Sequence, residues 1–255
     1  MPHGRFTWYE LMTTDTVGAT AFYASVAGWG TQDASTPDLA YTLFTHEGGP
    51  VCGLMQQPDA TRSLGVPPIW FGHVAVDDVD AAVAQARQLG GSVPVEPRDI
   101  PGVGRFAMIS DPQGATIGLL RWSDAKMGEP AAPMALGRVG WHELMATDWE
   151  QALPFYIALF GWEKAEAVDI GAMGTYQLFA LGGQAIGGMF SKLAVVPVPF
   201  WLYYVAVGDI DAATERVRAG GGQVVNGPMQ VPGGAFIVQA KDPQGAMFAL
   251  VGMRG

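Results

Sequence analysis

The amino-acid sequence contains two copies of one pattern, and this internal repeat constrains the fold more than any other feature. Residues 4–15 return as residues 137–148, and each copy carries Trp-x-Glu-Leu-Met followed by Thr-Asp. The two copies also end alike, because Asp-Pro-Gln-Gly begins at Asp111 and again at Asp242. A repeat of this length predicts two similar structural units, so any binding site should occur twice, or once with a degenerate partner.

Each copy divides again into two smaller modules. Asp15 and Asp78 follow strand-like segments and precede amphipathic ones, which is the pattern of a helix N-cap after a β-strand. The resulting order of strand, helix and three strands occurs four times and predicts an α+β fold of four βαβββ modules. The predicted domains are residues 1–122 and 137–255, joined by a linker at 123–136 that is rich in Ala, Pro, Gly and charged residues.

Composition excludes several classes of function. The net charge of −10 and the pI near 4.7 argue against a nucleic-acid binder or a basic membrane-surface helix, each of which needs a cationic face. The single cysteine, Cys52, lies in an apolar stretch and predicts a buried, inert thiol in a reducing compartment. The first residues have neither a basic region nor an apolar core of a signal peptide, so we expect a cytoplasmic protein.

These motifs together resemble the vicinal-oxygen-chelate superfamily, which includes glyoxalase I, bleomycin-resistance proteins and extradiol dioxygenases. The resemblance rests on the Thr-Asp cap with Phe-Tyr and Gly-Trp around the helix end, on Gly-His-Val-Ala-Val-Asp from Gly72, and on the Asp-Pro-Gln-Gly turns. It covers the whole chain except the linker and is closest to a tandem two-domain bacterial glyoxalase-like subgroup. It implies cupped, mixed β-sheets, but it indicates the fold more strongly than the chemistry.

Metal-dependent members of this superfamily hold a divalent metal with His and Glu side chains at fixed strand positions. The resemblance places those positions here at Trp8, Trp141, Gly53, Gly187, His73, Tyr204, Gly118 and Ala249. Only His73 among them is an ordinary metal ligand, and one ligand does not make a site. We therefore predict that the protein has no metal and no other cofactor.

Two glutamates are the candidate catalytic residues. Glu10 lies two residues after Trp8, and Glu143 lies two residues after Trp141, so each pair shares one face of its strand. An indole ring beside a carboxylate suits an aromatic or cationic small molecule, and a partly buried glutamate can also act as a general base. The alternative is structural, in which each glutamate accepts hydrogen bonds or pairs with an arginine. The sequence leaves both interpretations open.

Further ligand-binding candidates follow from the repeat. His73 and Tyr204 occupy equivalent positions, as do Tyr41 and Tyr176, and each could donate a hydrogen bond to a ligand or simply pack in the core. The resemblance predicts two cups, each built from both copies. The first would contain Trp8, Glu10, Gly53, Tyr204 and Ala249, and the second Trp141, Glu143, Gly187, His73 and Gly118. Glycine and alanine at former ligand positions predict a roomy apolar pocket.

The sequence thus predicts a metal-independent glyoxalase-like protein that binds a small apolar or aromatic metabolite, either sequestering it or catalysing proton transfer. Whether it is an enzyme stays open; an enzyme would have a lyase-, isomerase- or hydroxylase-like activity with glutamate as the base. The alternative is a metal-dependent lyase or dioxygenase of the same superfamily. The expected partner is a small molecule, without nucleic acid or membrane. We expect a monomer, since the two fused copies can complete each other, although a homodimer is possible.

Overall fold

The computed structural model describes residues 2–124, 132 and 134–255, so part of the predicted linker, at 125–131 and 133, lies outside the described residues. Each repeat contains two βαβββ modules, as predicted. The first module contains β1 (Phe6–Thr13), α1 (Thr16–Ala27), β2 (Gly30–Asp33), β3 (Tyr41–His46) and β4 (Gly49–Gln56). After the short helix α2 (Asp59–Ser63), the second contains β5 (Ile69–Ala75), α3 (Val79–Gln88), β6 (Ser92–Ile100), β7 (Gly104–Ser110) and β8 (Thr116–Trp122).

The second repeat has the same order of elements. Its first module contains β9 (Val139–Ala146), α4 (Trp149–Phe160), β10 (Glu163–Asp169), β11 (Thr175–Leu181) and β12 (Gln184–Ser191), with a 3-10 turn at Gly171–Met173. Its second module contains β13 (Phe200–Asp209), α5 (Ile210–Ala219), β14 (Gln223–Gln230), β15 (Phe236–Lys241) and β16 (Met247–Met253). None of these helices combines the length and the apolar composition that crossing a bilayer would require.

The strands form two mixed sheets of eight strands, one for each repeat. The orders are β2-β3-β4-β1-β5-β8-β7-β6 and β10-β11-β12-β9-β13-β16-β15-β14. The central pairs β1–β4 and β9–β12 are parallel, whereas the hairpins β3–β4 and β11–β12 are antiparallel. This arrangement confirms the predicted α+β class.

Helix boundaries follow the predicted caps. The side chain of Asp15 accepts a hydrogen bond from the amide of Gly18, and that of Asp78 accepts one from the amide of Ala81. Helix α1 ends at Gly28, whose φ of 71° is a left-handed conformation that favours glycine. A side-chain cap of this kind stabilises a helix by about 1 kcal/mol.

Two compact units divide the chain, and each unit contains parts of both repeats. The first unit contains Met1–Trp8, Phe71–Pro130 and His142–Trp201, and the second contains Tyr9–Trp70, Ala131–Trp141 and Leu202–Gly255. Each unit therefore combines one module of the first repeat with one module of the second. The two sequence repeats and the two compact units are therefore different divisions of the chain. The repeats are consecutive in sequence, whereas each unit joins segments that are close in space.

Each unit contains the same buried tyrosine–aspartate network. In the first unit, the Asp111 carboxylate accepts hydrogen bonds from the amides of Gln113 and Ala115 and from the Tyr156 hydroxyl, each at 2.9 Å. Burial raises the pKa of the Asp111 carboxyl, and the hydrogen bonds from Ala115 and Tyr156 oppose that shift. The phenol of Tyr156 in turn accepts from the indole nitrogen of Trp201 at 3.3 Å.

The second unit repeats this network with Tyr23 and Asp242, whose side-chain oxygens lie 3.0 Å apart, and with the indole nitrogen of Trp70 2.9 Å from the Tyr23 hydroxyl. The Phe-Tyr pairs of helices α1 and α4 belong to the core, where Tyr23 and Tyr156 are almost completely buried. The sequence did not indicate that their hydroxyls bind the aspartates of the two Asp-Pro-Gln-Gly turns. These turns therefore anchor the helix of one repeat to the final hairpin of the other repeat within each unit.

Candidate functional site

Four residues of the second unit surround the first candidate glutamate, and we call the group of five the open face: Glu10, Met12, Tyr41, Gly53 and Met55. The strand register aligns Glu10 with Gly53, and Met55 with both Met12 and Tyr41. Phe44, three residues after Tyr41, points to the other side of the sheet, where it contacts Tyr23 of helix α1. The open face is therefore the side opposite to that helix.

The candidate carboxylate of the open face is held by a phenol. The Tyr41 hydroxyl donates a hydrogen bond of 2.6 Å to Oε1 of Glu10, and both residues are half-buried. A hydrogen bond to an ionised acceptor is short and strong, so it fixes the direction in which the carboxylate points. The sequence identified both residues but did not indicate that they meet, because they are 31 positions apart, with helix α1 and strand β2 between them.

Gly53 is required by the position of Tyr41. A Cβ atom at residue 53 would lie 1.9 Å from the Tyr41 hydroxyl oxygen, which no side chain could tolerate. The phenol therefore lies across the backbone of Gly53 and reaches Glu10. The prediction that glycine leaves empty volume is wrong at this position, because the neighbouring tyrosine occupies the space above it.

The equivalent group in the first unit, which we call the closed face, consists of Glu143, Met145, Tyr176, Gly188 and Phe190. The register aligns Glu143 with Gly188 and Met145 with Phe190. A Cβ atom at residue 188 would lie 2.2 Å from the Tyr176 ring, which reproduces the relation of Gly53 to Tyr41. The counterpart of Gly53 is thus Gly188 and not Gly187, because the second repeat has a longer connection before its hairpin.

The two faces differ in solvent exposure, and this difference distinguishes the candidate glutamates. Glu143 is only 5% exposed, and Met145 and Phe190 are each 7% exposed. Glu10, Met12 and Met55 are half-buried instead. Four of the five positions carry the same residue type in both faces; the fifth is Met55 in the open face and Phe190 in the closed face. A small molecule can therefore reach Glu10 more readily than Glu143.

His73 and Tyr204 occupy equivalent strand positions but have different surroundings. His73, in the unit of Glu143, is 3% exposed, and its ring fills the space above Gly118, where a Cβ atom would lie 2.2 Å from Cδ2 of the histidine. Tyr204, in the unit of Glu10, is buried, and its hydroxyl accepts a hydrogen bond of 2.8 Å from Nε2 of Gln239. The predicted volume above Gly118 is thus also filled.

Gln239 is a candidate that sequence reasoning missed. It lies on β15, directly opposite Ala249 of β16, and Ala249 is itself the register partner of Tyr204. The equivalent register position in the first repeat, opposite Gly118, carries Met108. The second repeat thus carries the polar Gln239 where the first carries the apolar Met108. This difference between the repeats is a sequence signal that could have identified Gln239.

The two candidate tryptophans, Trp8 and Trp141, lie at boundaries between the two compact units. Trp8 belongs to the first unit, where its ring meets Trp122 edge-on at 5.9 Å between centroids, whereas Glu10 belongs to the second unit. Trp141 belongs to the second unit, whereas Glu143 belongs to the first. In β1 and in β9, the unit boundary falls directly after the tryptophan. Each tryptophan still lies two residues before its glutamate on one strand, so its grouping with that glutamate stays a prediction.

The residues at the superfamily's metal positions do not fit a metal. The ring of His73 fills the space that a metal-binding side chain at residue 118 would need. The carboxylate of Glu10 already accepts a hydrogen bond from the Tyr41 hydroxyl. Within residues 2–124, 132 and 134–255, no three His, Cys, Asp or Glu side chains come together in a way that could hold a metal ion. Catalytic zinc sites use three protein ligands, so this donor set is too small for a site of that kind.

His142 lies on the strand between Trp141 and Glu143 and faces the other side of the sheet, as strand alternation predicted. Its ring stacks on Phe6 with centroids 3.8 Å apart, and its Nδ1 lies 2.6 Å from the carbonyl oxygen of Ile186. Burial lowers the pKa of His142 to about 4, although the hydrogen bond to Ile186 opposes the shift. The native state therefore holds this imidazole in its neutral form at physiological pH.

A pH-dependent loss of stability follows from this histidine. The imidazole takes up a proton near pH 6.5 when unfolded, but only near pH 4 when folded, so acidification through this window favours the unfolded chain. Between about pH 7 and pH 5, we expect the native chain to lose roughly 2 kcal/mol more unfolding free energy than the variant His142→Phe. Urea denaturation at both pH values measures this difference. Parallel pH profiles for the two proteins would contradict the buried, neutral imidazole.

Sequence comparison finds relatives that match nearly the whole chain. The model of the Glyoxalase/Bleomycin resistance protein/Dioxygenase superfamily matches residues 5–119 and 138–250. "Putative glyoxylase CFP32" of Mycobacterium tuberculosis is 34% identical over 250 residues, which cover 96% of this chain and 93% of that protein. "Anthracycline biosynthesis protein DnrV" of Streptomyces peucetius is 31% identical over 261 residues, which cover 97% of this chain and 92% of that protein.

Solved structures share the fold at low sequence identity. The Mn(II)-bound glyoxalase from Novosphingobium aromaticivorans aligns with a TM-score of 0.67 and 15% identity, covering 100% of this chain and 83% of that chain. The 2,3-dioxygenase LapB from Pseudomonas sp. KL28 aligns with a TM-score of 0.66 and 12% identity, covering 100% of this chain and 94% of that chain. At this level of identity, the likeness extends to the arrangement of strands and helices and not to the chemistry.

Proposed function

Because the chain belongs to the Glyoxalase/Bleomycin resistance protein/Dioxygenase superfamily, we propose that its open face binds a small hydroxylated aromatic metabolite without a metal. The observation that carries this proposal is the Glu10 carboxylate, half-buried and oriented by the 2.6 Å hydrogen bond from Tyr41. An oriented carboxylate accepts hydrogen bonds from ligand hydroxyl or amino groups and discriminates against ligands that lack them.

The other side chains of the open face suit an aromatic ring. The thioethers of Met12 and Met55 are flexible and polarizable, and methionine sulfur makes favourable contacts with ring edges. The Tyr41 ring adds a flat surface beside them. The net charge of −10 favours a neutral or cationic ligand over an anionic one. Two relatives, from Streptomyces peucetius and Streptomyces sp. strain C5, are named for anthracycline biosynthesis, which agrees with a polycyclic, hydroxylated ligand.

The proposal covers two outcomes for the bound molecule. In the first, the protein sequesters the ligand, and Glu10 serves only as a hydrogen-bond acceptor. In the second, the Glu10 carboxylate takes a proton from an acidic C–H or O–H group of the ligand and returns it at another atom, which is an isomerisation. The Tyr41 hydroxyl would then hold the carboxylate in place during the transfer. Both outcomes use the same residues and differ only in the fate of the ligand.

We expect the purified protein to bind the anthracycline daunorubicin, with saturable quenching of tryptophan fluorescence. Treatment with EDTA should change the dissociation constant by less than about 2-fold, because the residues of the open face do not fit a metal. Chromatography and mass spectrometry of the recovered ligand then separate sequestration, which returns daunorubicin unchanged, from isomerisation. About one transition metal per chain by elemental analysis, with binding lost after chelation, would contradict the proposal and favour the metal-dependent alternative.

A further inference from the structure

The open and closed faces carry different residues at only one of their five positions. This position is Met55 in the open face and Phe190 in the closed face, and it has the same place in the strand register of both. Met55 is the partner of Tyr41 in the hairpin and of Met12 in the parallel pair. Phe190 is the partner of Met145 in the parallel pair, and its ring lies 6.0 Å from that of Tyr176. The remaining four positions carry identical residues, so the exchange of methionine for phenylalanine is the one difference within the two faces that accompanies the difference in exposure.

We propose that Phe190 closes the Glu143 face, so that the chain binds one ligand rather than two, and that Met55 determines which ligands fit the Glu10 face. This inference rests on the proposed function of the open face. The closed face is then a degenerate copy of the binding site, although the internal repeat alone would make the two faces equivalent.

The physical basis is the shape of the two side chains. A phenylalanine side chain has a rigid ring and only two rotatable side-chain bonds. Phe190 is 7% exposed, and its ring plane is tilted by 36° from that of Tyr176. A methionine side chain is unbranched, with three rotatable bonds, and it adapts to an incoming group at little cost. A flexible side chain at this position can therefore move aside for a ligand, whereas a packed ring excludes it.

Methionine oxidation tests the closure without any ligand. Limited treatment with hydrogen peroxide, followed by peptide mass spectrometry, reports how accessible each thioether is. In the native chain, we expect Met12 and Met55 to oxidise faster than Met145. In the variant Phe190→Met, oxidation of Met145 should rise by roughly 5-fold or more, because a flexible side chain replaces the packed ring at its register partner. Phe190→Leu is the second variant, should the first be poorly folded by circular dichroism. A folded variant in which Met145 stays as protected as in the native chain would overturn the inference.

Calorimetric titration with daunorubicin tests the ligand consequence. We expect one molecule bound per native chain, two per chain of Phe190→Met, and none per chain of the matched exchange Met55→Phe. Unaltered stoichiometry in both variants would overturn the inference. If the native chain binds no daunorubicin at all, the proposed function fails, whereas the closure by Phe190 is still decided by the oxidation experiment.

Discussion

Replacing Asp111 by alanine is expected to lower the free energy of unfolding by about 3–5 kcal/mol. The carboxylate is 3% exposed and accepts hydrogen bonds from two turn amides and from Tyr156. Alanine leaves these three donors buried without an acceptor, and each such donor costs about 1–3 kcal/mol, with incomplete additivity. Equilibrium denaturation in urea measures the loss.

Two further variants separate the contributions to this network. Tyr156→Phe removes one donor but leaves the carboxylate with its two turn amides, so its cost should be only about 1–2 kcal/mol. Asp242→Ala should reproduce the effect of Asp111→Ala, because Tyr23 and the second Asp-Pro-Gln-Gly turn form the same contacts. A loss below about 1 kcal/mol in both alanine variants would mean that the turns do not depend on their aspartates.

Replacing Glu10 by glutamine is expected to weaken the binding of daunorubicin by about 10- to 100-fold, because a hydrogen bond to a charged group contributes roughly 1.5–3 kcal/mol. The amide retains the shape of the side chain but not the charge, and Tyr41→Phe should give a smaller loss through a less firmly oriented carboxylate. Titration by tryptophan fluorescence measures both effects.

The matched control for this substitution is Glu143→Gln in the closed face. Since Glu143 is 5% exposed, its replacement should change ligand affinity by less than about 2-fold and should instead lower stability by roughly 1–3 kcal/mol. The internal repeat thus provides a comparison within one molecule between the same residue in an accessible and in an inaccessible position. A larger loss of affinity in Glu143→Gln than in Glu10→Gln would reverse the assignment of the two faces.

Much of the fold could be predicted from the sequence because its signals are local. The caps at Asp15 and Asp78 mark helix starts, and the apolar alternation marks the central strands. The bounds of strands β2 and β10 were not predicted, although the βαβββ pattern requires a strand after each helix, since their sequences are largely polar and exposed and give no periodic pattern. Edge strands of this kind are fixed by pairing with a neighbour, which a single segment does not reveal.

The candidate site could be predicted only in part, because its geometry depends on register. The repeat identified Glu10 and Tyr41 separately, but their hydrogen bond requires the alignment of β1, β3 and β4. The counterpart of Gly53 was predicted at Gly187 and is Gly188 for the same reason, because it depends on the strand register. A one-residue change in register moves a residue to the other face of the sheet. The difference in exposure between Glu10 and Glu143 was invisible because the two sequences around them are so alike.

A crystal structure of the protein with bound daunorubicin tests the central claim most directly. We expect one ligand per chain on the open face, with a hydroxyl or amino group of the ligand within hydrogen-bond distance of the Glu10 carboxylate and its rings against Met12 and Met55. We also expect Phe190 to keep its position beside Tyr176. Ligand density on the closed face, next to Glu143, with none at Glu10, would contradict the account.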